Sequence, residues 1–429
     1  MRYNLFIAAF ILLMSGSTYG QSKMIAIKAG KLIDVESGKV LTNQVILIDS
    51  NIITDIGPGL PVPKNAQVID LGNATVLPGL IDCHTHLTSQ PSGDYYAAIF
   101  RKTPMDYAVL AHIYAKRTLL AGFTSCRDVG APAFVDVSLR NAINSGDIPG
   151  PRLQVATLFI GSTGSHGDIN GFSPFLDWKL PKEMLGVADG VDELRRQVRY
   201  NIKYGADVIK FGASAGVLSE EESVGGPQCT QEEMNTIVDE ASRWGRKTCA
   251  HAHGTEAIKM AVKAGVASVE HGSFIDEEGI KLMKEHGTYL VADIYNDDYI
   301  LSEYTNLGYP QKIINKEKLV GKKQRENFAR AVEKGVKIAF GTDAGVYPHG
   351  WNAKQFYYMV KFGLTPMQAI QAATVNAADL LGWKSKTGSL TKGKFADIIA
   401  VDKNPIDDIT VLEHVKFVMK DGVVYKNEK

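Results

Sequence analysis

The run Leu77-Pro78-Gly79-Leu80-Ile81-Asp82-Cys83-His84-Thr85-His86-Leu87 ends an apolar stretch with two histidines two residues apart. Side chains of a β-strand repeat direction every second residue, so His84 and His86 face one way while Cys83 and Thr85 face the other. Two neutral imidazoles on one face at a strand's end are half of a metal site. Alone, they could equally be strand histidines that only hydrogen-bond. Other segments supply what the pair lacks. Residues 247–254 put His251 and His253 on one face, 267–272 carry His271, and 338–345 place Asp343 after an otherwise apolar stretch. Residues 206–212 hold Lys210 inside an apolar run. Such a lysine either snorkels or pairs with a carboxylate, or it is buried, which disfavours the charged amine. A lone aspartate after a strand is usually a turn or a helix cap. The assembled set of imidazoles, amine and carboxylate has the donors for a metal site.

The elements that must position these groups alternate. Apolar β-type segments end near His86, Val129, Phe159, Gly212, His253, Gly272, Ile294 and Asp343, and helical patterns follow at 192–204, 230–245, 256–264 and 318–334. Eight such units over roughly 300 residues predict an α/β fold, a (β/α)8 TIM-like barrel, whose chemistry gathers at the C-terminal ends of its strands. An open doubly wound sheet is the alternative, but no glycine-rich phosphate loop follows the first strand. The histidines agree with the barrel. Of ten in the chain, His84, His86, His166, His251, His253, His271 and His349 fall at or just past predicted strand ends. His112, His286 and His414 lie elsewhere and read as surface or packing residues.

Both chain ends are β-rich: 24–29, 44–48 and 52–56 at one, 396–401, 415–419 and 422–425 at the other. Neither piece has strands enough for its own core, so together they predict one small β-sandwich. The resulting division is 21–75 for the first part of the sandwich, 76–383 for the barrel and 384–429 for the second part. Residues 1–20 differ. Arg2 precedes an apolar run at 5–14 and a small-residue stretch at 15–20, the pattern of a secretory signal peptide whose removal leaves a chain starting near Gln21. The expectation is an exported protein, periplasmic or secreted, with no membrane attachment after signal removal; the apolar run is short for a bilayer span. In 429 residues, 45% are hydrophobic, 22% are charged and the formal net charge is zero, which suits a soluble globular protein and gives no footing for nucleic acid. Cys83, Cys126, Cys229 and Cys249 match no zinc-finger or redox spacing and read as buried free thiols.

Pro-Gly-Leu-Ile-Asp-Cys-His-Thr-His at 78–86, with Lys210, His251, His271 and Gly-Thr-Asp at 341–343, resembles the amidohydrolase superfamily over essentially the whole mature chain. The segments 250–254 and 342–350 are similar to the binuclear Xaa-Pro dipeptidase (prolidase)-like subgroup, which also holds carboxypeptidase-like and ochratoxin-hydrolysing amidases. The resemblance implies two divalent metal ions, with His84, His86 and Asp343 on one and His251 and His271 on the other. It implies a carboxylated Lys210 bridging both. His253 shares a face with His251, and spacing does not decide between them; alignment favours His251, leaving His253 near the substrate. Imidazole and carboxylate without thiolate suit Zn2+, with cobalt or manganese as alternatives. The implied reaction is amide hydrolysis of a dipeptide or N-acyl amino acid, by metal-bridged hydroxide attack with Asp343 as general base and then acid. Substrate contacts are implied for His166, His253, Val217, Leu218 and His349, with Cys229 standing where prolidase-like relatives often carry tyrosine. The partner is a small-molecule amide substrate, and association into a homo-oligomer is expected. A cyclic amidase or deaminase on the same barrel is the alternative, and a non-catalytic binding protein is a further one.

Overall fold

A computed structural model describes residues 24–93, 97–173, 175, 182–221 and 223–428. The expected signal segment at 1–20 lies outside the described residues.

Leu80–Thr85 is buried at every position, as befits a parallel strand covered on both faces. It pairs in parallel with Phe123–Asp128, which pairs with Arg152–Val155. A second parallel sheet runs in the order Tyr289–Val291, Ser268–His271, Lys247–Ala252, Val208–Gly212. Backbone hydrogen bonds join the two sheets at both seams. At one, Ile160 N–H donates to Lys210 O and Gly212 N–H to Ile160 O. At the other, Ala339 N–H donates to Leu290 O, Cys83 N–H to Phe340 O and Asp343 N–H to His84 O. The eighth expected strand, 338–345, makes only single bridges, Leu290 to Ile338 and Thr85 to Ala344. Near its end Asp343 takes a left-handed backbone, φ 55°, outside the extended region that regular strand pairing uses.

Helices follow the strands. Gly190–Lys203, Gln231–Arg243 and Thr255–Ala264 match the sequence patterns to within two residues at each end. Thr230 shows why such boundaries were readable: its side chain accepts from Glu233 N–H while Glu233 reaches back, a capping box. Gln311–Glu333 begins seven residues before its predicted start at 318. Its early turns do not repeat a clean apolar stripe, because two charged residues, Lys316 and Glu317, face inward and are both buried.

Both chain ends enter one seven-stranded mixed sheet, ordered Val423–Asn427, Phe417–Lys420, Ile398–Val401, Gln67–Pro78, Met24–Asp34, Lys39–Asp49, Ile52–Pro58. Instead of two separate sheets, this one curls back. Ile53 N–H donates to Lys394 O and Gly393 N–H to Ile53 O, so the far edge returns to the segment entering Ile398–Val401. Ile25, Ile27, Ile46, Ile48, Ile398 and Phe417 fill the core it encloses. Gln67–Pro78 leads directly into Leu80–Thr85, so this sheet anchors the strand that carries His84. No helix among the described residues is long and apolar enough to cross a membrane. All four cysteines are buried and free, as expected.

Candidate metal centre

His84 and His86 do share a face: each places Nε2 3.3 Å from Asp343 Oδ1. Their other ring nitrogens are committed. His84 Nδ1 donates to Glu270 Oε2 at 2.9 Å, and His86 Nδ1 donates to the Gly130 carbonyl at 3.0 Å. A neutral ring whose Nδ1 carries the proton presents a lone pair at Nε2. Two lone pairs and a carboxylate oxygen at this separation repel one another unless a positive centre lies among them, either a metal ion or an added proton. The electrostatic balance makes the same demand. Burial opposes charge on both partners, yet Asp343 raises His84 above the ordinary imidazole value, and the two imidazoles bring Asp343 well below the ordinary carboxylate value. Glu270, which orients His84, is itself held by Arg127 Nη2 at 2.8 Å and Ser268 Oγ at 2.5 Å, all of it fully buried.

A second group of donors lies beside the first. Ligand atoms of His251, His253 and His271 fall within 4.8 Å of one another, as do those of His271, Asp293 and Asp343. His271 Nδ1 donates to Asp293 Oδ1 at 2.8 Å, which leaves its Nε2 lone pair for the cluster. His253 is hydrogen-bonded through Nδ1 to Ser273 Oγ at 2.8 Å and stacks on His271 with ring centres 4.6 Å apart. Nε2 of His251 is buried with no hydrogen-bond partner. Burial, followed by mutual repulsion among the imidazoles, holds His251 and His253 well below the ordinary value, so both rings are neutral and able to donate a lone pair. The geometry brings both His251 and His253 to His271 rather than separating one from the other. The donor set thus fits divalent ions of the kind imidazole and carboxylate hold. His271 and Asp343 both occupy left-handed backbone, φ 70° and 55°. Such conformations cost on the order of 1–3 kcal/mol and concentrate at functional sites.

Lys210 shares with both groups a cavity of about 370 Å³, whose wall also includes His84, His86, His166, His251, His253, His271 and Asp343. It is 1% exposed and pairs with no carboxylate among the described residues; the Phe159 ring is centred 5.8 Å from Nζ. His166 reaches the cavity stacked on His251, ring centres 4.1 Å apart, with Nδ1 2.6 Å from Ser219 Oγ. Burial pushes its imidazole down to about 3, so it acts as a neutral group. Close approach here depends on Gly216, where a Cβ would meet His251 Nε2 at 2.7 Å and His166 at 2.9 Å. Val217 and Leu218 from the same loop form part of the apolar wall with Ile300, Val320 and Val346.

One sequence expectation needs correction. His349 does not belong to the cavity wall: its Nε2 is bonded to Ser89 O at 2.7 Å and its ring stacks on Tyr114, so it packs the loop after Asp343. Cys229 is a buried thiol, as expected, with Sγ 3.4 Å from Gly212 O in the core. Sequence reasoning missed Glu270, Asp293, Asn296, Glu317 and Gln324. Glu270 sits directly before His271, and that Glu-His step was the one local hint. Gln324 Nε2 donates to Asp293 Oδ1 at 2.9 Å and Asn296 Nδ2 to Asp293 Oδ2 at 2.6 Å, so the first residue of helix Asn296–Glu303 and the helix Gln311–Glu333 together fix the carboxylate behind His271.

A parallel α/β scaffold gathers imidazoles and carboxylates at its strand ends. Residues 75–425 match the amidohydrolase family, and the chain belongs to it. It is 34% identical to ochratoxinase from Aspergillus niger over 435 residues, covering 95% of this chain and 87% of that protein. It is similar to the crystal structure of a Xaa-Pro dipeptidase with methionine bound in its active site: 44% identity, TM-score 0.90, 94% of this chain and 100% of the other. A prolidase crystallised with N-methylphosphonate-L-proline is 31% identical with TM-score 0.87, over 95% of this chain and 100% of that one.

Proposed function

We propose that this chain is a binuclear metal-dependent amidohydrolase that cleaves the amide bond of a dipeptide or an N-acyl amino acid, on a closed (β/α)8 barrel. The observation that carries the reading is the convergence of His84 Nε2, His86 Nε2 and Asp343 Oδ1 at 3.3 Å, with the ring protons committed elsewhere. His84, His86 and Asp343 would hold one ion and His251 and His271 the other, with His253 beside them. Lys210, carboxylated on Nζ, would supply a further ligand. A buried ammonium without a counter-ion is costly, and a carbamate removes that charge and supplies two ligand oxygens. Zinc suits this donor set. Two such ions supply Lewis acidity and make hydroxide available near neutral pH.

The residues do the rest. Asp343, ionised and facing the imidazoles through Oδ1, takes the proton of the attacking water and passes it to the leaving nitrogen. Asn296 Nδ2, 3.4 Å from Asp343 Oδ2, steadies the second oxygen. Ser219 Oγ already accepts from Gly216 N–H, so its hydroxyl proton can go to His166 Nδ1, leaving His166 Nε2–H to donate to a substrate oxygen. Val217, Leu218, Ile300 and Val346 receive an apolar side chain and exclude water. The relatives named ochratoxinase and Xaa-Pro dipeptidase support amide hydrolysis as the reaction class. The reading includes export through the segment at 1–20 and association into a homo-oligomer. Its test is a free-amine assay of the metal-loaded protein across dipeptides and N-acyl amino acids. Turnover of linear amides that disappears in Lys210→Ala supports it. Turnover confined to cyclic amides or to deamination, or persisting in Lys210→Ala, overturns it.

A further inference from the structure

Glu317 is the one acidic group on the cavity wall with no role in the arrangement above. It comes from the helix Gln311–Glu333, is 3% exposed and opens onto the cavity. The carboxylates around it are spent. Asp343 faces the imidazoles. Asp293 accepts from His271, Gln324 and Asn296. Asp297 is paired with Arg325 at 2.9 Å, and the same guanidinium also binds Asp298 and Ile294 O. Glu317 accepts no hydrogen bond and makes no ion pair among the described residues. Lys316, its neighbour, points elsewhere and donates to the carbonyls of Gly216, Ser219 and Glu221. Gly321, one turn on, brings Asp297 against the helix, since a Cβ there would meet Asp297 at 2.2 Å.

A buried carboxylate with no partner, facing a substrate-sized cavity, lacks a cation. We propose that Glu317 receives a primary ammonium group of the substrate and thereby selects substrates that carry one over neutral acyl analogues. Burial, then Asp297, Asp293 and Asp343, push its carboxyl up to about 8 against the pull of Arg325, and an arriving cation is what lets it ionise. This rests on the amidohydrolase reading and narrows it. The ammonium can be the free amino end of a dipeptide or a lysine side chain, and both offer the same three donors.

The test uses paired substrates that differ by the amine alone: leucyl-phenylalanine against 4-methylpentanoyl-phenylalanine, and 4-methylpentanoyl-lysine against 4-methylpentanoyl-norleucine. The native protein should favour the ammonium member of one pair by about tenfold or more in kcat/KM, the size of a charge-assisted hydrogen bond. The pair that shows it identifies which ammonium is bound. In Glu317→Gln that preference should collapse through KM, while kcat on the neutral member and the metal content stay unchanged. A preference retained in Glu317→Gln, an equal loss on both members, or a loss of bound metal overturns the proposal. A second readout needs no turnover. Isoamylamine should raise the unfolding temperature of the native protein but not of Glu317→Gln, and isoamyl alcohol should not distinguish them. If no amide is hydrolysed, the hydrolase reading falls while the amine shift still decides the role of Glu317; an equal shift in both proteins overturns it.

Discussion

Glu270→Gln tests how the metal-facing imidazole is prepared. In the native protein Glu270 accepts from Arg127 Nη2 at 2.8 Å, from Ser268 Oγ at 2.5 Å and from His84 Nδ1 at 2.9 Å. Glutamine has nearly the same shape but one acceptor oxygen and one NH2. If the oxygen faces Arg127, the NH2 meets His84 Nδ1, which must then accept; the ring proton moves to Nε2 and the lone pair aimed at the cluster is lost. If the oxygen faces His84, the NH2 opposes the guanidinium. Either way Arg127, 1% exposed, loses its counter-ion. Breaking a buried pair costs about 3–5 kcal/mol, and removing the partner of a ligating histidine weakens metal binding about 10–100-fold. The assays are denaturant unfolding of the chelated protein and competitive zinc titration. Adding Arg127→Met should recover much of the stability, because the orphaned charge goes, and part of the metal affinity, because the amide oxygen is then free to turn to His84 Nδ1. Unfolding within about 1 kcal/mol of native for the single variant, with unchanged zinc affinity, would refute the reasoning.

Asp343→Asn should abolish turnover while far-ultraviolet circular dichroism stays native, since the amide can neither take nor return the proton; rates near native would remove Asp343 from that role. His166→Ala should raise KM about tenfold or more with a smaller fall in kcat, because a neutral imidazole can give the substrate one hydrogen bond and no charge. Chelation should lower the unfolding temperature, and restoring zinc at 100 times its Kd should return about 2.7 kcal/mol. Asp136, buried and accepting from Thr157 N–H, has its carboxyl pushed up to about 8 by burial and then by Asp128. A folded value above the unfolded one, about 3.9, means that its contribution is full below about 4 and lost as pH rises through about 8. The stability difference between Asp136→Asn and the native chain, measured by denaturant at each pH, should therefore move in the variant's favour from pH 5 to 8.

The sequence was most legible where chemistry and strand periodicity coincide. The two-residue spacing of His84 and His86 specifies a shared face, and Lys210 and Asp343 stand out because apolar segments surround them. The strand ends could be placed because Gly and polar residues punctuate them. What stayed hidden depends on contacts between segments remote in the chain. Arg127 and Glu270 meet across 143 positions, and Gln324 meets Asp293 across 31. Nothing local marks Lys316, Glu317 and Gln324 as inward-facing, because polar residues at helical spacing read as a solvated face. His349 shows the converse: a histidine after a strand looks catalytic until its Nε2 is found on the Ser89 carbonyl. The curled terminal sheet escaped because strand content at both ends specifies neither pairing order nor how a sheet bends.

The account rests on two cations held where six side chains from five segments meet. Inductively coupled plasma mass spectrometry on the purified chain, beside Lys210→Ala, measures that directly. Two equivalents of tightly bound divalent metal in the native protein, falling in the variant, is the result expected. One equivalent or none in an active native enzyme, or two retained without Lys210, would contradict it.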